Sequence, residues 1–364
     1  MRIGLYTLHS AHNVGAMLQT FALTKVLQNA GAVVEIVNFY PKEEEDANFH
    51  RRKNTFVKTL LRRIYLMIHP EIRTMEMKFE DFHNRLPLSK RFYSQDEYII
   101  SPNQYDIHLV GSDQVWNLQK GFEHKKIYFL DYLPSSAIKI SYASSMGTST
   151  DTKDLDKFSN ALSTFKDISV REDKTLQLIE KLTNKKHTQV LDPTLLLNSE
   201  DWDSFISEEP KINGKYVFFY GINRDEKTWE MLTYVRNKKK AKLVGYPGPL
   251  PPQYKFDEYV YDGGPLDFVN LIKNAELVIT SSYHGLAFSI NYNKPVLLIL
   301  GERMERMQSL VHLLKMEKII VKDVDDVKEA LNASIDIFND TRKLLKTQRK
   351  ESLQWLLDKI SSNY

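Results

Sequence analysis

The chain has 364 residues, 42% hydrophobic and 11% aromatic, with 50 Lys plus Arg against 47 Asp plus Glu and no cysteine. That length asks for about two domains, and the composition supplies a core for each, which excludes a disordered chain. A formal charge of +3 gives no global field for nucleic acid, and the missing cysteines exclude disulfides, thiolate nucleophiles and Cys-ligated zinc.

Met1-Arg2-Ile3-Gly4-Leu5-Tyr6 runs straight into a strand pattern instead of a signal peptide, and no apolar run reaches the roughly eighteen residues of a membrane span. A cytoplasmic protein is therefore expected. Short Val/Ile/Tyr-rich runs then alternate with longer helical patterns, as βαβ units do. Strands are expected at Ile3–Thr7, Val33–Asn38, Ile107–Val110, Ile138–Ala143, Asp167–Val170 and Thr188–Leu191, and again at Tyr216–Tyr220, Lys242–Tyr246, Glu258–Tyr261, Leu277–Thr280, Val296–Leu300 and Lys318–Val321. Two sets of six predict an α/β protein of two doubly wound, Rossmann-like domains, 1–198 and 199–339, with a cleft between them. The turn-rich stretch 198–214 is the expected hinge. A last helical pattern, Asp340–Ile360 within 340–364, has no strand after it and is expected to pack back across the domain junction.

One stretch breaks the alternation. Arg51, Arg52, Lys53, Lys58, Arg62 and Arg63 are interleaved with Phe56, Leu60, Leu61, Ile64, Tyr65, Leu66 and Ile68, ending at His69. This is the composition of a basic amphipathic helix on an anionic membrane, and equally that of a surface helix with a solvated charged face.

In open parallel sheets the ligand crevice forms beyond the carboxyl ends of the strands, so the residues just past each strand matter most. After the first strand, Asn13-Val14-Gly15-Ala16-Met17-Leu18-Gln19 enters a helix through a single glycine, which argues against a nicotinamide site. Gly111-Ser112-Asp113-Gln114-Val115-Trp116-Asn117 sets a carboxylate beside an indole, the pair that carbohydrate sites use; an Asp cap over a buried Trp is the competing reading. Ser144-Ser145-Met146-Gly147 supplies hydroxyls. Arg171-Glu172-Asp173 places a guanidinium at the same rim, for a ligand or for its own acidic neighbours. Leu191-Asp192-Pro193-Thr194 reads as a rigid turn. In the second half, Ser281-Ser282-Tyr283-His284-Gly285 stands where a strand becomes a helix, a junction that favours anions, and Gly285 permits close approach to the backbone. Gly301-Glu302-Arg303-Met304-Glu305-Arg306 adds two guanidiniums past the next strand.

Taken in order, Asn-x-Gly-Ala-x-Leu-Gln, Gly-Ser-Asp-x-x-Trp-Asn, Tyr-Ala-Ser-Ser-x-Gly, Ser-Val-Arg-Glu, Leu-Asp-Pro-Thr and Ser-Tyr-His-Gly resemble the polysaccharide pyruvyl transferase family over about Gly4 to Met307. The resemblance implies a glycosyltransferase-B-like architecture and an enzyme that moves pyruvate from phosphoenolpyruvate onto two sugar hydroxyls, forming a ketal on a polysaccharide or lipid-linked glycan. It implies His284 and Arg171 as positions that hold the donor; proton transfer near neutral pH suits His284, and Asp113 is expected to orient or deprotonate the acceptor, which makes these two the expected catalytic groups. Arg171, Ser281, Ser282, His284, Gly285, Arg303 and Arg306 would bind the donor, and Asn13, Gly15, Gln19, Ser112, Asp113, Trp116 and Ser145 the acceptor. No metal or cofactor is implied beyond phosphoenolpyruvate as co-substrate. A peripheral place on the inner face of the plasma membrane would follow from a lipid-linked acceptor. The sequence departs from the family in one respect: members commonly carry Arg two residues before the motif His, where this chain has Ser282. A nucleotide-sugar glycosyltransferase of the same architecture and a glycan-binding protein without turnover are the competing readings.

Overall fold

The computed structural model describes residues 1–41, 64–147, 154–221, 225–246, 256–300 and 305–363. The basic residues Arg51 to Arg63, and Arg303, lie outside them. The chain divides into two compact units, the first formed by the described residues of 1–55, 81–196 and 348–364, the second by those of 56–80 and 197–347.

The first unit is built on a parallel sheet of β1 (Arg2–Tyr6), β2 (Val33–Ile36), β3 (Ile107–Val110), β4 (Lys139–Ser144), β5 (Asp167–Val170) and β6 (Thr188–Gln189), in the order β2-β1-β3-β4-β5-β6. The second has β7 (Tyr216–Tyr220), β8 (Lys242–Gly245), β9 (Glu258–Tyr259), β10 (Leu277–Thr280), β11 (Val296–Ile299) and β12 (Ile320–Val321), in the order β12-β11-β10-β7-β8-β9. Helices α1 (Val14–Asn29), α2 (Pro70–His83), α3 (Gln95–Ile100), α4 (Leu155–Ser163), α5 (Asp173–Thr183) and α6 (Ser199–Asp203) precede β7. After it come α7 (Glu226–Lys239), α8 (Pro265–Asn274), α9 (Tyr283–Asn291), α10 (Glu305–Leu313) and α11 (Val324–Ser361). Both faces of the sheets are covered, so the central strands are apolar end to end: every residue of β3, β10 and β11 is buried. Trp116, Phe129 and Phe158 anchor one core; Val217, Leu243 and Leu277 anchor the other.

Twelve strands fall where the sequence places them, and the differences lie at their ends. β6 stops at Gln189 because Val190 N–H turns to Val170 and Leu191 N–H is taken by the Ser352 hydroxyl at 2.9 Å. Glu317–Ile319 is a 3-10 turn, so the last strand starts at Ile320, not Lys318. The final helix starts at Val324, not Asp340; the Asp323 carboxylate accepts the N–H groups of Asp325 and Asp326 there, and no Gly or Pro interrupts the run to Ser361. Its last turns belong to the first unit, where the Trp355 ring meets Tyr142 and Lys359 pairs with Asp167 at 2.7 Å. Most of α2 belongs to the second unit: Lys78 Nζ reaches Asp267 at 2.7 Å and Asp262 at 3.3 Å, and its Cβ packs against Gly264.

Candidate functional site

Both sheets reverse their winding at one point. In the first, α1 carries the chain from β1 to β2 on one side, while β3 lies on the other; in the second, β7 leads to β8 on one side and β10 lies on the other. Two successive loops part there, and it is beyond the strand ends at such points that open parallel sheets take ligands. Gly111-Ser112-Asp113 leaves β3 at the first point, and Ser281-Ser282-Tyr283-His284 leaves β10 at the second.

At the first, Gly111 adopts φ +125° and any Cβ would sit 2.0 Å from the Tyr142 carbonyl oxygen, so only glycine lets the loop lie against β4. Asp113 follows at φ 68°, its N–H bonded to Ser112 Oγ at 2.6 Å and its carbonyl accepting from Ser145 N–H at 2.9 Å. Ser112 Oγ donates onward to Asp192 at 3.3 Å. The Arg171 guanidinium is 1% exposed and meets three carboxylates: Nε to Glu172 at 2.8 Å, Nη1 to Asp192 at 2.6 Å and Nη2 to Asp113 at 3.3 Å. Asp192 is fully buried and also accepts the Thr194 hydroxyl at 2.7 Å and its N–H at 3.0 Å. The Asp113 side chain is 12% exposed, more than any other member.

This geometry revises several expected roles. Arg171 meets three acids of its own chain, Glu172, Asp192 and Asp113. Trp116 is fully buried: its Nε1 donates to the Tyr128 carbonyl at 3.1 Å and its ring meets Phe158 and Phe165 edge-on, leaving no face for a sugar. Gln19 is equally enclosed, its Nε2 donating to Thr7 Oγ1 at 2.9 Å and Thr20 Oγ1 at 2.8 Å, so it braces the end of β1. Ser112 and Ser145 are fully buried within the turn, Ser145 Oγ accepting Gly147 N–H at 2.9 Å. Gly15 is buried in the first turn of α1. Asn13 is exposed and caps α1 through Ala16 N–H at 3.0 Å. Of the expected acceptor residues, Asn13 is exposed and Asp113 is buried with its side chain 12% exposed.

Sequence reasoning missed Asp192, read there as a turn. The aspartate two residues before a threonine carries a capping signal, but its link to Arg171 is a tertiary fact. It also missed His9, buried beyond β1, whose ring nitrogens lie 3.0 Å from the Thr7 carbonyl and 3.2 Å from Asn38 Oδ1. His108 on β3 meets the Tyr6 hydroxyl at 2.8 Å; burial, reinforced by Lys139, pushes its imidazole down to about 4. Burial pushes the neighbouring Tyr98 hydroxyl up to about 12.

At the second reversal, Thr280 Oγ1 holds the Tyr220 carbonyl at 2.5 Å and accepts Ser282 N–H at 3.0 Å, fixing where the chain leaves β10. Ser282 is the N-cap of α9, its hydroxyl accepting Gly285 N–H at 3.5 Å. A Cβ on Gly285 would stand 2.3 Å from Thr280 Oγ1, so this glycine lets the helix pack closely on the strand. His284 is 8% exposed in the first turn of α9, edge-on to Tyr283; Ser281 and Ser282 are half-buried, as is Arg306 on α10. Asp113 therefore lies in the first unit and His284 in the second. Among the described residues no cluster of three or more His, Cys, Asp or Glu could hold a metal ion.

Two doubly wound parallel domains, each with a polar loop at its reversal point, define the glycosyltransferase-B class of architecture. Solved structures agree: the chain is similar to a putative UDP-N-acetylglucosamine 2-epimerase from Listeria monocytogenes (TM-score 0.56, 11% identity, 93% of this chain and 90% of that one). It is also similar to the spinosyn rhamnosyltransferase SpnG (0.52, 11%, 99% and 100%) and to a UDP-GlcNAc 2-epimerase from Neisseria meningitidis (0.52, 11%, 98% and 100%). At such identities the likeness concerns the fold. No curated protein matches. The family model for polysaccharide pyruvyl transferase matches residues 13–302, most of the chain, and the chain belongs to that family of transferases acting on polysaccharide.

Proposed function

We propose that the protein transfers pyruvate from phosphoenolpyruvate onto two hydroxyls of one sugar in a polysaccharide or lipid-linked glycan, forming a cyclic ketal. The observation that carries this reading is the family match over 13–302, which spans the loops at both sheet reversals. A proton adds to the donor's methylene carbon, and one sugar oxygen bonds to the adjacent carbon. The second oxygen then displaces phosphate, which leaves with one proton while the two hydroxyls give up two, so charge and protons balance. His284 supplies the proton to the methylene, an imidazole being able to give and take protons near neutral pH. Asp113 accepts a proton from the acceptor hydroxyl. The start of α9, with Ser281 and Ser282, Arg306 and Arg303 hold the donor's phosphate and carboxylate.

The protein works against the inner face of the plasma membrane in this reading. Ile64, Tyr65, Met67 and Ile68 are 44%, 40%, 77% and 67% exposed, and they directly follow the basic run Arg51 to Arg63 of the sequence. No described helix is long and apolar enough to cross a membrane.

A nucleotide-sugar glycosyltransferase is the second reading, favoured by Ser282 in place of the arginine that members commonly carry, since a serine offers no charged fork to phosphoenolpyruvate. A thermal-shift screen separates the two: a ligand at 100 times its dissociation constant stabilises by about 2.7 kcal/mol, so phosphoenolpyruvate or a nucleotide sugar should stand out.

A further inference from the structure

The carboxylates around Arg171 are not alike. Asp192 is fully buried and accepts, besides Arg171, the Ser112 hydroxyl, the Thr194 hydroxyl and the Thr194 N–H. Glu172 is 3% exposed and takes the Nε end of the guanidinium plus the Thr175 hydroxyl at 3.3 Å. Asp113 takes the guanidinium's longest contact, 3.3 Å, and has the most exposed side chain of the three. Two of the carboxylates thus hold Nε and Nη1 of the guanidinium, and the third meets Nη2. The backbone of Asp113 is held on both sides, by Ser112 Oγ and by Ser145 N–H, and its side chain is engaged by Nη2.

We propose that Arg171 and Asp192 are positioning residues that aim the Asp113 carboxylate and tune it as the base, an inference that rests on the pyruvyl transfer reading for its chemistry but not for its electrostatics. Asp113 lies among like charges in a buried setting, which favours its neutral form; the guanidinium opposes this. Asp192 tempers that opposition, because it draws the guanidinium to itself at 2.6 Å and adds a like charge nearby. In this proposal the Arg171–Asp192 pair sets how readily Asp113 takes a proton from a hydroxyl.

Substitutions at the two positions must then move the acidic limb of the activity profile in opposite directions. Asp192→Asn removes a like charge and releases the guanidinium toward Asp113, so the limb moves to lower pH and kcat falls because the base is weaker. Arg171→Gln removes the cation, so the limb moves to higher pH. Arg171→Lys keeps the charge without the fork: the limb stays near its wild-type place while kcat falls and the KM for phosphoenolpyruvate holds. These profiles are measured on the full chain with phosphoenolpyruvate and glycan, alongside the titration of the Asp113 carboxyl carbon by NMR, assigned with Asp113→Asn. Limbs and carboxyl midpoints shifted in opposite senses support the proposal; a common shift, or none, overturns it. If wild-type protein does not turn over phosphoenolpyruvate, the pyruvyl reading fails, while the carboxyl titrations still decide the positioning claim. Should the buried variants fail to fold, the wild-type Arg171 Nη2–H resonances decide, because Nη2 is the nitrogen that meets Asp113: they must move with the Asp113 midpoint, and indifference to that titration overturns the proposal.

Discussion

His284 is 8% exposed in the first turn of a helix at the sheet reversal, and the proposed reaction uses its ring as the proton donor. His284→Gln should abolish turnover and leave the urea midpoint nearly unchanged; a stability loss of several kcal/mol would instead identify a packing residue. His108 is a histidine of the opposite kind. Burial holds its imidazole at about 4, against about 6.5 in an unfolded chain, so the fold keeps it neutral. An unfolded chain takes up the proton first, and stability from this group is full above pH 6.5, declines as pH falls toward 4, and is flat below. The contribution is at most roughly 3 kcal/mol. His108→Gln should therefore flatten the dependence of unfolding free energy on pH between 6.5 and 4, and equal slopes in the two proteins would refute this assignment.

Strand–helix junctions were the most legible elements, because a parallel sheet buried on both faces writes its strands as short apolar runs and puts polar residues at their ends. β10 and Ser281 to Gly285 could be read directly. The early start of α11 could not, since nothing in Val324 to Asp340 looks unlike a helix joined to a preceding turn until Asp323 is seen capping it. Ser282 shows how an element constrains chemistry: it is the cap of α9 as well as the position where family members commonly carry arginine. Ser282→Arg should cost about 1 kcal/mol of stability through the lost cap. If Arg306 supplies the missing charge, Arg306→Ala should weaken phosphoenolpyruvate binding and Ser282→Arg should partly restore it; calorimetric titration showing unchanged affinity in Arg306→Ala would remove that residue from the donor site. The exposed Ile64, Met67 and Ile68, with the basic residues before them, should bind anionic vesicles at about 1 kcal/mol per basic residue near the surface and release in high salt. Equal sedimentation with neutral and anionic vesicles would contradict it.

At the scale of the whole molecule, fold class and strand positions follow from periodicity, whereas the partition of the chain does not. Residues 348–364 join the first unit and most of α2 joins the second, through contacts such as Ser352 with Leu191 and Lys78 with Asp267 that pair positions far apart in sequence. The same distance hid one partner of Arg171: Asp192 stands 21 residues on, and only the fold brings it against the guanidinium. Trp116 and Gln19 were misread because a sequence shows residue type and spacing but not enclosure. The most direct test of the proposed chemistry traces carbon-labelled phosphoenolpyruvate in the presence of candidate glycans. The account predicts label in the glycan as an acid-labile ketal, one phosphate released per pyruvate transferred, and neither with His284→Gln. Transfer of a sugar from a nucleotide sugar, with phosphoenolpyruvate left untouched, would contradict it.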